Sequence, residues 1–248
     1  MQLKFARTQS WFRATGLPAA GILLCFWTTI VSAQTNNYSF EFSANLALPD
    51  GETSGLVLSP GLSGMDGSIA SLTVSLNISG GFNGDLYAYL AGPAGGFAVL
   101  LNRAGVTGGN SFGYDDTGFN VTFTTFATNN IHFYQDLTYD LNGNGQLTGA
   151  WQPDGRAIDP LSSPSLFDAT SPTDLLNSFN GTNPNGTWRL FLTDLSDGGE
   201  SQLVDWRLEI TTIPEPQPIS LLALSGGLMA VWRHRHALLL WRRPSGLS

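Results

Sequence analysis

The residues best suited to chemistry in this chain are oxygen donors, and their densest run is Asp140-Leu141-Asn142-Gly143-Asn144-Gly145-Gln146. Asp140, Asn142 and Asn144 offer side-chain oxygens at alternating positions, and Gly145, sixth in the run, permits the sharp turn by which a loop wraps a calcium ion. Trp151 holds the twelfth position, where a closing bidentate glutamate would belong, so any further ligands must come from elsewhere. Asp115 and Asp116, in Gly113-Tyr114-Asp115-Asp116-Thr117-Gly118, are neighbouring acids able to supply them. The competing account of the same loop is a hairpin built on Asn-Gly turns. Asp85, after the Asn83-Gly84 turn, and Asp194, at the end of an apolar run, are further candidate calcium ligands. Each is equally well explained as a carboxylate accepting backbone N–H bonds at a turn.

Acid–base and nucleophilic chemistry is poorly served. Between residues 34 and 213 His132 is the single histidine, there is neither cysteine nor lysine, and no Gly-x-Ser-x-Gly elbow occurs. A Ser-His-Asp arrangement needs a base held by an acid beside a nucleophile. His132, in Asn130-Ile131-His132-Phe133-Tyr134, reads instead as a strand or loop histidine hydrogen-bonded to backbone. The acidic residues leave a glycosidase-type carboxylate pair open, but no spacing singles one out. The expectation is a protein that is not an enzyme.

The two ends read as addresses. Lys4, Arg7 and Arg13 precede an apolar run from Ala19 to Val31, and Val31-Ser32-Ala33 offers a cleavage site, so residues 1–33 are expected to be a signal peptide. Cys25 follows Leu24, which does not suit lipidation. At the other end Pro214-Glu215-Pro216, an apolar run from Ile219 to Trp232 and Arg233-His234-Arg235-His236 place positive charge after a short hydrophobic stretch, as a membrane stop does. At about 1.5 Å per residue that run reaches roughly 21 Å, against a hydrocarbon core of about 30 Å. The order of Pro-Glu-Pro, apolar segment and arginine cluster resembles the PEP-CTERM sorting signal of Gram-negative bacteria. The resemblance implies exosortase as a processing partner and an exported protein at the cell envelope, at its outer surface or in the extracellular matrix. It covers the segment 214–236 and leaves 237–248 as a tail.

Between these ends lies one domain, 34–213, with four arginines against eighteen carboxylates, a net charge of −14. Such a balance excludes nucleic acid as a partner, since phosphates demand Lys and Arg. It invites divalent cations, or simply keeps a secreted protein soluble. With no cysteine in it, the domain must be stabilised by a hydrophobic core or by bound ions.

The elements that must position these groups are strands. Tyr38, Phe40, Phe42, Ala44, Leu46 and Leu48 alternate with polar or small residues, as do Leu72, Val74, Leu76 and Ile78, and Val204, Trp206, Leu208 and Ile210. Shorter strands are expected over Asp85–Leu90, Phe97–Leu101, Val121–Phe126 and Thr187–Asp194, with turns at Asn83-Gly84, Asn142-Gly143, Asn185-Gly186 and Asp197-Gly198. Gly84 and Gly186 are expected to supply positive φ. The proline-rich stretch from Gln152 to Ser178 reads as a long loop. No amphipathic helix stands out, and the pattern predicts an all-β, jelly-roll-like β-sandwich in a single domain.

Three blocks carry a second resemblance: Asn83 to Gly95, Asn185 to Asp194, and Gln202 to Leu208. Together they resemble the P/Homo B domain of proprotein convertases over about 69–210. The resemblance implies a β jelly roll that stabilises a subtilisin-like serine endopeptidase, with calcium bound in bacterial examples. Asp85 and Asp194 match the family's acidic positions, and Trp188 and Trp206 its tryptophans, expected here as core anchors. No protease domain is expected beside this copy. The reading is therefore an exported, non-catalytic, calcium-binding module. The alternatives are an accessory to a separate subtilisin-like protease, or a carbohydrate-binding module that holds extracellular polysaccharide through exposed aromatics such as Tyr87, Tyr89, Tyr114 or Trp151.

Overall fold

A computed structural model describes residues 34–214. The expected signal peptide, sorting segment beyond Pro214 and tail lie outside the described residues. Among the described residues no helix is long and apolar enough to cross a membrane.

Eleven strands follow one another: β1 (Asn36–Ala47), β2 (Leu56–Leu58), β3 (Gly61–Leu62), β4 (Ser68–Gly80), β5 (Leu86–Ala91), β6 (Phe97–Asn102), β7 (Gly118–Thr124), β8 (Leu147–Trp151), β9 (Gly186–Thr187), β10 (Arg189–Asp194) and β11 (Ser201–Ile213). They form a five-stranded sheet in the order β1-β11-β4-β7-β8, a four-stranded sheet in the order β2-β10-β5-β6, and a small β3-β9 pair. All pairings are antiparallel except β7 with β8. The protein is an all-β sandwich, as its period-two sequence predicts.

The alternation decides which side chains enter the sandwich. Leu72, Val74, Leu76 and Ile78 of β4 and Trp206, Leu208 and Ile210 of β11 are buried from the large sheet, and Leu86, Ala88 and Leu90 of β5 with Leu190 and Leu192 of β10 from the small one. Full burial of such a side chain contributes about 1.5–3 kcal/mol. Trp188 and Trp206 are the largest fully buried side chains, so both are core anchors. The indole N–H of Trp188 donates to the Pro184 carbonyl at 2.9 Å, and Trp206 stacks on Phe42 at 4.3 Å.

The sequence pattern slips at three places. The β1 alternation breaks where Asn45 adopts a φ of 51°, so the register with β11 shifts between Ser43 and Leu46 and Leu46 becomes exposed instead of buried. A second shift between Leu203 and Asp205 makes Leu203, not Val204, the inward residue. Gly186 has the expected positive φ of 132°, but Gly84 does not. Gly84 is needed for close approach, since a Cβ there would collide with the Phe112 carbonyl and with Gly113.

The stretch predicted as a loop does run along the free edge of β6, broken by α1 (Pro164–Ala169) and a 3-10 turn at Leu176–Phe179. It is tied down by backbone bonds from Asp154 and Gly155 to Leu100 and Val99, and from Val99 to Asp174. This places Asp154 in the interior beside His132, which stands in a 3-10 helix spanning Ile131–Asp136.

Candidate metal centre

The end of the small sheet gathers acids that lie far apart in sequence. A 3-10 turn over Asn83–Asp85 opens β5, and β10 closes on Asp194, whose backbone partner across the ladder is Leu86. Pairing thus brings Asp85 and Asp194 together, and the Leu195 amide donates to the Asp85 carbonyl at 3.0 Å. The loop after β1 joins them: the Glu52 amide donates to the Asp194 carbonyl at 3.2 Å, and the Gly198 amide to Asp50 Oδ2 at 3.1 Å.

Asp194 is fully buried. Ser201 Oγ donates to its Oδ2 at 2.7 Å, whereas Oδ1 is buried with no hydrogen-bond partner. Burial is the main reason that the Asp194 carboxyl is pushed up to about 6; the Ser201 hydroxyl and the Ser196 amide pull it down, while Asp85 and Asp50 push it further. Asp85, also buried, is raised for the same first reason, with the Ser196 hydroxyl and the Arg103 charge opposing and Asp50 adding to the rise. A carboxylate oxygen left dry and unpaired costs about 1–3 kcal/mol or more.

An ion would relieve that cost, and the surroundings suit a hard one. The donors are all oxygens: the carboxylates of Asp85 and Asp194, the hydroxyls of Ser196 and Ser201 and, at the exposed margin, the carboxylate of Asp50. Gly81, at φ 64°, leaves open the space that a side chain would fill, because a Cβ there would collide with Ser201 Oγ and come within 3.2 Å of Asp194 Oδ2. Among the described residues no three His, Cys, Asp or Glu side chains are arranged to ligate an ion by themselves. Serine, main-chain and water oxygens would have to complete the six to eight ligands that calcium takes. The residues present fit calcium and do not fit a soft metal, which prefers sulfur or imidazole.

The other expected ligands are placed differently. In the Asp140 loop, Asn142 Oδ1 already accepts from the Asn144 amide at 2.9 Å and the Gln146 amide at 3.1 Å, and Asn142 Nδ2 donates to Gln146 Oε1 at 2.8 Å. Gln146 in turn anchors the loop by donating to Asn77 Oδ1 and the Ile78 carbonyl. Asp140, Asn144 and Asp115 are exposed. Asp116 Oδ2 accepts from the Tyr134 hydroxyl at 2.9 Å and Gln135 Nε2 at 2.8 Å, a structural duty. The loop is a hydrogen-bonded turn closed by its own asparagine.

His132 has a part that its sequence context does not reveal. Nε2 lies 2.9 Å from the Val106 carbonyl, as expected of a backbone-bonded histidine, but Nδ1 lies 2.6 Å from Asp154 Oδ2. Asp154 Oδ1 also accepts from Arg156 at 3.1 Å, and Arg156 Nε donates to the Phe167 carbonyl. The ring stacks on Phe167 and, like Asp154, is 0% exposed. Both ring nitrogens are taken and no water-borne substrate reaches them, so the imidazole serves as a buried strut. A spaced aspartate in Pro153-Asp154-Gly155 carried no signal for this, because 22 residues separate the partners.

Trp151, expected among the exposed aromatics, is buried, its indole N–H donating to the Thr148 carbonyl at 2.9 Å. Tyr114 is half-buried edge-on against Tyr134 at 4.7 Å. Tyr87 and Tyr89 do lie on the outer face of the small sheet.

No family model matches the chain, and no curated protein sequence matches it. Among solved structures it is similar to the crystal structure of an Aeromonas sobria serine protease in complex with a chaperone, with a TM-score of 0.41 and 15% identity over 73% of this chain and 28% of that one. It is similar also to the crystal structure of the Aeromonas sobria serine protease, with a TM-score of 0.40 and 15% identity over 72% of this chain and 27% of that one. The chain spans less than a third of the length of the solved chains it is similar to.

Proposed function

We propose that this protein is an exported, non-catalytic module of the P/Homo B type whose sandwich is locked by calcium at Asp85 and Asp194. The observation that carries the reading is the buried, unpartnered Oδ1 of Asp194 beside a second buried carboxylate. A bound cation would favour the charged form of both groups and tie the loop after β1 to the ends of β5 and β10. The Asp140 loop is a weaker second position, because an ion there would have to displace the two amides held by Asn142. The address segments add export by signal peptide, processing by exosortase and display at the envelope of a Gram-negative bacterium or release into its matrix. An accessory role toward a separate subtilisin-like protease follows from the P/Homo B resemblance, and co-purification from the host would test it.

The experiment is thermal melting of the purified protein with calcium and with chelator. An ion at about 100 times its dissociation constant adds about 2.7 kcal/mol if only the folded state binds it. A midpoint that does not move through millimolar calcium would remove the ion from the reading. Turnover of a peptide or glycan, abolished by a single side-chain change, would remove the word non-catalytic.

A further inference from the structure

The two sheets of the sandwich present different outer faces. On the large sheet the outward residues are Ser71, Thr73, Ser75 and Asn77 of β4 and Gln202, Asp205, Arg207 and Glu209 of β11, a polar surface of the ordinary kind. On the small sheet they are apolar and aromatic. Cross-strand pairing sets Val57, Phe191 and Tyr89 side by side, with Tyr87 next along β5. The rings of Tyr89 and Phe191 stack at 5.0 Å, and Phe97 lies 5.1 Å from Tyr89. Phe97 and Val57 keep 36% and 46% of their surface in water.

One step along the strands, the pairing Arg189–Ala91–Phe97 puts a small residue between a cation and a ring. The result is an open trough of about 480 Å³, floored by Ala91 and lined by Ser59, Tyr89, Phe97, Thr187 and Arg189. Its size lies within the range of about 300–1,000 Å³ usual for small-ligand sites.

Arg189 gives the trough its selectivity. Of the arginines in the described residues, Arg156 is buried on Asp154, Arg207 pairs with Glu41 and Glu209, and Arg103 donates to the Gly84 carbonyl beside Asp85. Arg189 is exposed and, among the described residues, makes no ion pair. In a domain with eighteen carboxylates it is where an anion meets uncompensated positive charge. The surrounding negative field disfavours a polyanion, but screening over about 8 Å at physiological salt leaves an isolated carboxylate free to approach one guanidinium.

We propose that this trough binds a glycan carrying sparse carboxylates, a uronate flanked by neutral sugars. The apolar face of a sugar ring lies on Tyr89 and Phe97, the carboxylate takes the forked donors of Arg189, and ring hydroxyls bond Ser59 and Thr187. The site is separate from the ion at Asp194, so the two can fail independently.

The test is calorimetric titration of the purified protein, with and without chelator, using aldotriouronic acid (one glucuronate on xylobiose) and xylotriose. The acidic trisaccharide is expected to bind about tenfold or more tighter than the neutral one, the worth of a charge-assisted pair. Arg189→Gln, a surface change, erases that preference, Arg189→Lys retains part of it, and Tyr89→Ala weakens both sugars. Absence of binding through the millimolar range, equal affinity for the two sugars, or an undiminished preference in Arg189→Gln overturns the proposal. Loss of the calcium melting shift with sugar binding retained would sink the calcium reading alone.

Discussion

Ser201 Oγ donates to Asp194 Oδ2 at 2.7 Å while Oδ1 of the same carboxylate is buried without a hydrogen bond, and Ser201 opens the strand that follows the Asp197-Gly198 turn. The connection that crosses from the small sheet to the large one therefore serves one oxygen of the buried carboxylate and leaves the other without a hydrogen bond.

Replacing that carboxylate by its neutral isostere separates ion binding from folding. Asp194→Asn should leave the calcium-free protein as stable as the parent or somewhat more so, because a desolvated acid is removed. The calcium-dependent stabilisation, about 2.7 kcal/mol at about 100 times the dissociation constant, should vanish. The double change of Asp140→Ala and Asn142→Ala should keep most of that stabilisation. Differential scanning fluorimetry on the three proteins checks both statements, and a shift lost only in the double variant would move the ion to the Asp140 loop.

The pH dependence has a definite sign. Asp194 and Asp85 have folded-state pKa values above their unfolded ones. The calcium-free protein therefore draws stability from them at low pH and loses it as pH rises from about 4 to about 6, where Asp194 titrates. The loss at Asp194 is roughly 2 to 3 kcal/mol at most. Calcium competes with those protons, so its stabilisation should be largest above pH 6 and fade below it. Denaturant melts at pH 5 and pH 7.5, with calcium and with chelator, measure all four corners.

Gly81 should tolerate no side chain. At φ 64° and packed against Ser201, Gly81→Ala is expected to cost about 1–3 kcal/mol from backbone strain and collision. It should also weaken calcium binding, because Ser201 and Asp194 must move. Gly143→Ala, with nothing within 4 Å of its added methyl, is the matched control and should change neither quantity by more than about 0.5 kcal/mol.

The interior cluster should behave as a unit. Asp154→Ala leaves Arg156 and His132 buried without their acceptor and is expected to cost about 3–5 kcal/mol. His132→Ala should cost less, since Asp154 keeps Arg156. Urea titrations of both single variants and the double variant should show strong non-additivity, which independent roles would not produce.

How much of this was legible depends on distance along the chain. Leu72 to Ile78 and Trp206 to Ile210 announced their strands and inward faces, because alternation is a local property of the pleat. β8 went unannounced since Gly149 and Ala150 interrupt its alternation, and for the same reason Trp151 looked exposed. Leu46 and Val204 were misplaced by bulges, which shift every later side chain by one face.

Asp85 and Asp194 were visible as separate acids at strand ends, and Tyr87 and Tyr89 as outward aromatics. Their company was not. Asp50, Gly81, Ser196 and Ser201 around the carboxylates, Phe97, Phe191 and Arg189 around the tyrosines, and Asp154 against His132 come from strands and loops that spacing cannot align. Residue type and period two settle what each segment can be, since they act over a few neighbours. Which segments touch, and hence whether an acid is solvated, bonded or left dry, is settled by sheet register and packing, because those contacts are made across the whole chain at once.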